Sequence, residues 1–233
     1  MSEMKTTLVS GLPLLNLELS DEICDTLCAF GAAMVKQNEV MNLTGITDDK
    51  GVANLHLLDS LTVMACADLA GKTLIDVGCG AGFPGVPVAI AEPTAKVTLL
   101  DSLQKRMNWL QEILPGLGIA ATVVAARAEE YVTQHREQYD IATSRAVARL
   151  NILAELCLPY VKVGGKFLAL KGAMTQEEVE EARKGIAILG GKVAEILEFP
   201  VADAVHRIVV IEKVKATPKQ YPRKFAKIKQ SPL

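Results

Sequence analysis

The chain has 233 residues, half of them hydrophobic, and a formal net charge of −2. That length suits one domain with an extension, or one domain and a small second one, with a core large enough to need no disulfide staples. The near-neutral balance excludes a protein that is basic all over, and no apolar run approaches the roughly 20 residues of a membrane span. Met1 to Ser10 lacks a basic start followed by an apolar stretch, so the reading is a cytoplasmic protein with no membrane partner. Five cysteines without a CxxC pair indicate neither a disulfide framework nor a metal site.

In chain order, residues 1–70 read as a helical extension. Ser20 is placed to cap a helix with Ile23, Leu27, Phe30 and Met34 on its apolar face. Asn42-Leu43-Thr44-Gly45 interrupts the pattern, and Asp48 or Asp49 opens a second helix through Leu55, Leu58 and Leu61. From Lys72 strands and helices alternate. Strands are predicted at 73–77, 96–101, 119–125, 139–143 and 165–170, with helices at 103–114, 127–132, 147–158 and 175–184 between or after them. Two last strands, 192–199 and 207–212, have only a short loop between them. Parallel strands need a long crossover, so this pair is an antiparallel hairpin. The fold class is therefore α/β: a doubly wound, mostly parallel seven-stranded sheet with an antiparallel C-terminal hairpin and an N-terminal helical extension, an arrangement that resembles the Rossmann-like methyltransferase sheet. The expected divisions are 1–70, 71–213 for the methyltransferase domain, and a basic tail at 214–233.

After Glu212 there is no acidic residue and there are seven basic ones. Such a tail is either an electrostatic footprint for nucleic acid or a solvated, partly disordered end.

The glycine-rich run Asp76-Val77-Gly78-Cys79-Gly80-Ala81-Gly82-Phe83-Pro84-Gly85 follows the first strand and opens a helix. Two cofactors fit it. Gly80-x-Gly82-x-x-Gly85 satisfies the dinucleotide fingerprint, with Asp101 downstream for a ribose diol. Asp76-x-Gly78-x-Gly80-x-Gly82 resembles the first motif of methyltransferases, where Asp101 again holds ribose hydroxyls. Asp76 suits a cationic sulfonium better than a pyrophosphate. Pro84 removes an N–H from a phosphate cradle, and the terminal hairpin fits the methyltransferase sheet. S-adenosylmethionine is therefore the preferred cofactor.

Thr143-Ser144-Arg145-Ala146 stands where amine methyltransferases of bases carry Asn/Asp-Pro-Pro-aromatic. Cys157 lies in an apolar helix pattern, poorly placed as a nucleophile toward a pyrimidine carbon. Acceptors that are already nucleophilic remain, guanine N7 among them, along with amines and small molecules. His56, His135 and His206 do not cluster in sequence and receive no catalytic role.

Asn42-Leu43-Thr44, the Phe83-Pro84-Gly85 loop ending, Arg127-Ala128-Glu129, Ser144-Arg145-Ala146-Val147 and Tyr221-Pro222-Arg223-Lys224 occur in the order found in the RsmG proteins, also known as glucose-inhibited division protein B. The chain resembles that family from about Glu39 to its end. The resemblance implies an enzyme that methylates N7 of one guanine in 16S, small-subunit, ribosomal RNA, with that RNA or the small subunit as partner. It implies cofactor contacts at Gly78, Phe83, Ala128, Glu129 and Arg145; Asp101 is added from strand position. Arg145 is the positioning candidate, with a cofactor carboxylate, the RNA, or an ion pair to Asp76 or Glu129 as its possible partners. Lys219, Arg223, Lys224 and Lys227 are the candidates for RNA phosphates. The tail departs from the family pattern at Phe225-Ala226-Lys227-Ile228, where a Gly-x-Pro stretch is usual, and keeps Pro232-Leu233. The other readings left open are a methyltransferase of a small molecule or protein, and a noncatalytic nucleotide-sensing assembly factor.

Overall fold

A computed structural model describes residues 1–145, 148–172, 174–202 and 204–233. Seven strands, β1 (Thr73–Val77), β2 (Lys96–Asp101), β3 (Thr122–Ala125), β4 (Tyr139–Arg145), β5 (Val161–Lys171), β6 (Gly191–Val201) and β7 (Ala204–Lys213), form one sheet in the order β3-β2-β1-β4-β5-β7-β6. The first five pair in parallel, while β7 lies antiparallel between β5 and β6. The order reverses between β1 and β4, so the loop after β1 lies where open α/β sheets place ligands.

Alternation along the strands divides two cores. Leu74, Val97, Leu99, Ile141, Leu168 and Val210 face one cluster, and Ile75, Leu100, Ala142, Phe167 and Val209 face the other. The first face is covered by α5 (Gly85–Ala91), α6 (Gln104–Gly116) and the N-terminal residues, including α1 (Glu3–Gly11) and α2 (Asp21–Met41). The second is covered by α7 (Ala128–His135), α8 (Leu150–Cys157), α9 (Thr175–Ile188) and α10 (Phe225–Gln230). No helix among the described residues is long and apolar enough to cross a membrane.

Ser20 caps α2 by accepting the Ile23 N–H at 3.3 Å, and Asn42 ends it in the left-handed conformation. The buried face uses Cys24 rather than Ile23, which is only half-buried. Asp48 caps the second helical stretch, accepting the Gly51 N–H at 2.7 Å. That stretch is not one regular helix: α3 (Asp49–Val52) runs into a wider π-helical turn, Ala53–Leu58, and then α4 (Asp59–Leu61). Wider turns of this kind recur at functional sites.

Some boundaries differ from the sequence expectation. Pro115 is accommodated in the last turn of α6, and the Ile119 N–H donates back to the Leu114 carbonyl, which delays β3 to Thr122. The helix expected from residue 147 begins at Leu150; Val147, like Ala146, lies outside the described residues.

The C-terminal segment is folded, not a loose basic end. Lys213 is fully buried and donates to the Leu158 and Val161 carbonyls at 2.6 and 3.0 Å. Thr217 donates its N–H to Glu137 and its hydroxyl to the Leu189 carbonyl. Ile228 of α10 is buried, and Leu233 packs over Gly185. Lys215, Lys219, Lys224, Lys227 and Lys229 keep their ammonium groups on the exposed side.

Candidate active site

Loop and cavity share one cause. The turn from β1 to α5 needs Gly78, Gly80 and Gly82 at φ +75°, +58° and +96°, values an L side chain rarely adopts. A Cβ on Gly85 would stand 2.4 Å from Leu99 and 2.9 Å from Asp76, so the helix can approach the sheet only without one. This leaves a cavity of about 540 Å³ over the carboxyl ends of β1, β2 and β4, within the range of cofactor sites. Its walls come from the glycine loop, from Leu100–Leu103 and Arg106, from Ala126–Glu129, and from Arg145 and Leu156. Met34, Leu43, Thr44 and His56 close it from the N-terminal side, and Phe225 closes it from the tail.

Asp101 ends β2 inside this cavity. Its Oδ2 accepts the Gly80 N–H at 3.0 Å, and its Oδ1 accepts the Leu103 N–H at 2.8 Å. A carboxylate has about four acceptor positions, so two backbone donors orient it and leave capacity for a vicinal diol. Ala128 and Glu129 are the first residues of α7, whose first-turn N–H groups have no partner within the helix. Tyr160 fixes this end by donating its hydroxyl to the Ala128 carbonyl at 2.5 Å.

Asp76 does something other than the sequence suggested. It is fully buried, accepts the Gly85 N–H at 2.7 Å through Oδ2, and does not line the cavity. Burial, partly offset by the Gly85 N–H, pushes its carboxyl up to about 7. Its Oδ1 has no hydrogen-bond partner among the described residues. Asp76 therefore ties the loop to the helix, and its carboxyl does not face the cavity where a sulfonium was expected.

Phe83 is nearly buried. It sits between Phe30 and His56, with ring centroids at 5.2 and 4.9 Å, and the Arg145 guanidinium lies 5.2 Å over it. Arg145 pairs with neither Asp76 nor Glu129. Its Nη1 donates to Asp59 Oδ2 at 2.7 Å and to the Leu55 carbonyl at 3.0 Å. The other oxygen of Asp59 meets His206 Nδ1 at 2.5 Å. Burial alone would raise the Asp59 carboxyl, but His206 and Arg145 together hold it below the usual carboxylate range.

His56 completes the wall. Arg145 Nη2 lies 3.3 Å from His56 Nδ1, and a guanidinium only donates, so Nδ1 accepts. Nε2 then carries the proton and donates to Thr44 Oγ1 at 2.9 Å. Burial, with the Arg145 charge behind it, lowers the His56 pKa to about 4, so the ring is neutral at pH 7. Thr44 is itself placed by Asn38, whose side-chain oxygen accepts the Leu43 and Thr44 N–H groups. This network is why Asn42-Leu43-Thr44 sits beside the site. Two histidines that are 150 residues apart in sequence thus meet around one arginine–aspartate pair, a grouping sequence reasoning missed. Asp59, an acid inside the apolar run Leu57-Leu58-Asp59-Ser60-Leu61, was its one readable sign.

A second cavity of about 600 Å³ shares His56 and Arg145 with the first and continues along Asp59, Arg149, Lys171, Glu178 and His206.

The four tail candidates separate. Lys219, Lys224 and Lys227 are exposed. Arg223 instead clamps the fully buried Glu155 of α8, with Nη2 to Oε2 at 2.6 Å and both Nε and its own backbone N–H on Oε1 at 2.9 and 2.8 Å. That guanidinium is committed to Glu155, unlike the ammonium groups of the three exposed lysines.

Residues 23–206 match the family model described as rRNA small subunit methyltransferase G. Ribosomal RNA small subunit methyltransferase G of Acetivibrio thermocellus is 44% identical over 99% of this chain and 97% of its own length. The protein of the same name from Alkaliphilus metalliredigens is 44% identical over 99% of both chains. Among solved structures, a SAM-dependent methyltransferase from Aquifex aeolicus superposes with a TM-score of 0.54 at 19% identity, covering 70% of this chain and 94% of that one. TrmN from Thermus thermophilus gives 0.54 at 18% identity, over 67% and 48%. These two share the fold. With a family model spanning most of its length and relatives at 44% identity end to end, the chain belongs to the rRNA small subunit methyltransferase G family.

Proposed function

We propose that the chain transfers a methyl group from S-adenosylmethionine to N7 of a guanine in 16S ribosomal RNA, with the RNA or the small subunit as its partner and the cytoplasm as its place of work. The single observation that carries the cofactor is Asp101, oriented by two backbone N–H groups at the mouth of the glycine loop. Residues 71–213 form the catalytic domain in this reading, residues 1–70 wall the site, and the exposed lysines of 214–233 face the RNA.

When bound, S-adenosylmethionine supplies an electrophilic methyl group. The chain's task is placement. Asp101 accepts the ribose hydroxyls, Gly78 lets backbone approach the amino-acid moiety, and the Ala128 and Glu129 N–H groups read the adenine edge. Phe83, held rigid by Phe30 and His56, walls the reacting end. Guanine N7 carries an in-plane lone pair and no proton, so no general base is required and rate comes from alignment and exclusion of water. The purine becomes cationic as it reacts. Asp59 balances the Arg145 charge, so the guanidinium beside the site does not repel that developing charge. Arg145 and His56, common to both cavities, make the second one the entrance for the acceptor.

The test uses labelled S-adenosylmethionine with small subunits that lack the modification, and separately with naked RNA. Label at one guanine N7 is expected; its absence from both substrates overturns the acceptor assignment.

A further inference from the structure

Phe225, in the folded tail, has a defined place against the site. It lines the main cavity beside Ala126, Arg127 and Leu156, and the Arg127 guanidinium lies 5.4 Å over its face. It is not a chance contact of a loose end, because the residues before and after it are fixed. Arg223 is locked on buried Glu155, the Arg136 guanidinium donates to the Tyr221 carbonyl, and Ile228 is fully buried.

We infer that the folded tail is a structural part of the nucleoside pocket, with the Phe225 ring forming the outer wall at the adenine end, so that tail docking and cofactor binding strengthen each other. The inference rests on the cofactor reading above and adds a contact that the glycine loop does not provide. Position along the cavity decides which end is involved. Strand β2, ending in Asp101, lies between β1 with its glycine loop and β3 with Ala126–Ala128 after it, and Arg127 stacks on Phe225, so the ring lies on the β3 side of the proposed ribose position. A flat apolar ring next to an apolar Leu156 is a surface for a purine face. If binding favours the docked tail, docking favours binding by the same factor.

The probe is S-adenosylhomocysteine, which keeps the nucleoside and lacks the methyl group. Calorimetry on the full chain is expected to show the Kd raised about tenfold by Phe225→Ala and less by Phe225→Leu, with far-UV circular dichroism unchanged. A second readout needs no variant: the same ligand is expected to slow tryptic cleavage after Lys224 and Lys227 in the wild-type chain. Wild-type affinity in Phe225→Ala, or tail cleavage indifferent to ligand in the wild-type chain, overturns the inference. A wild-type chain that does not bind the ligand overturns the cofactor reading itself, which is a different failure.

Discussion

The Gly78–Gly85 loop and the segment after Lys213 reach the same cavity by opposite means. The loop is held by neighbours in the chain: three glycines at positive φ, a hydrogen bond from Gly85 to Asp76 nine residues away, and another from Gly80 to Asp101. The tail is held by partners 28 to 85 residues earlier, through buried charges and carbonyls. The loop takes its shape from steric permission, the tail from electrostatic and apolar partners that exist only once the sheet is built. Single-residue changes should therefore fail differently in the two places.

The largest effect is expected in the tail. Arg223→Ala leaves the Glu155 carboxylate buried and unpaired, which costs about 3–5 kcal/mol in urea unfolding. Combining it with Glu155→Ala should cost less than the sum of the single changes, since the stranded charge is gone. A loss below about 1 kcal/mol for Arg223→Ala would mean that apolar packing, not the pair, holds the tail. In the loop, Gly85→Ala drives a methyl into Leu99 and Asp76 and should cost about 1–3 kcal/mol. Because the shift moves the loop itself, S-adenosylhomocysteine affinity should fall with it; a stable, fully binding variant would show that the helix can retreat.

Smaller effects sharpen the contrast within the tail. Lys219→Ala, Lys224→Ala and Lys227→Ala leave the clamp intact, so stability should hold. Each should instead reduce the slope of log affinity for small-subunit RNA against log salt by about 1. An unchanged slope in the triple variant would remove the tail from the RNA interface.

The effect that is smallest at neutral pH, and grows only as pH falls, is a pH dependence at the wall. His56 has a folded pKa of about 4, below the ordinary 6.5, so the unfolded chain binds more protons between those values. Its stabilising contribution is complete above pH 6.5 and is lost as pH falls toward 4. Comparing His56→Gln with wild type isolates this slope from Asp76, whose raised pKa of about 7 acts in the opposite direction over pH 4 to 7. Parallel stability curves for the two proteins would place His56 in water rather than against Arg145.

How much was readable follows the same division. The sheet was legible because strands buried on both faces read as apolar runs, Leu99 and Leu100 or Val209 and Val210 facing opposite cores, and because a short loop before β7 forbids a parallel crossover. The glycine loop was legible because its requirements fall on adjacent residues. The Thr44–His56–Arg145–Asp59–His206 network was not, since four separate segments supply it. Asp76 shows the converse error: the residue was noticed, but sequence does not say which side of a strand's end a carboxylate faces. In Leu153-Ala154-Glu155-Leu156-Cys157, as at Asp59, an acid in an apolar run announced a buried partner without naming Arg223.

Asp59 also sets an order of assembly. A growing chain emerges from its N-terminus, and its early helices can collapse long before its last strands exist. Yet one Asp59 oxygen waits for Arg145 and the other for His206 of β7. Until about nine-tenths of the polypeptide has been synthesised, that carboxylate lacks a partner it will later have, and the wall it anchors stays unfinished. Vectorial synthesis thus leaves the site open until the hairpin arrives, and a chain stalled before residue 206 would carry the glycine loop without a completed pocket beside it.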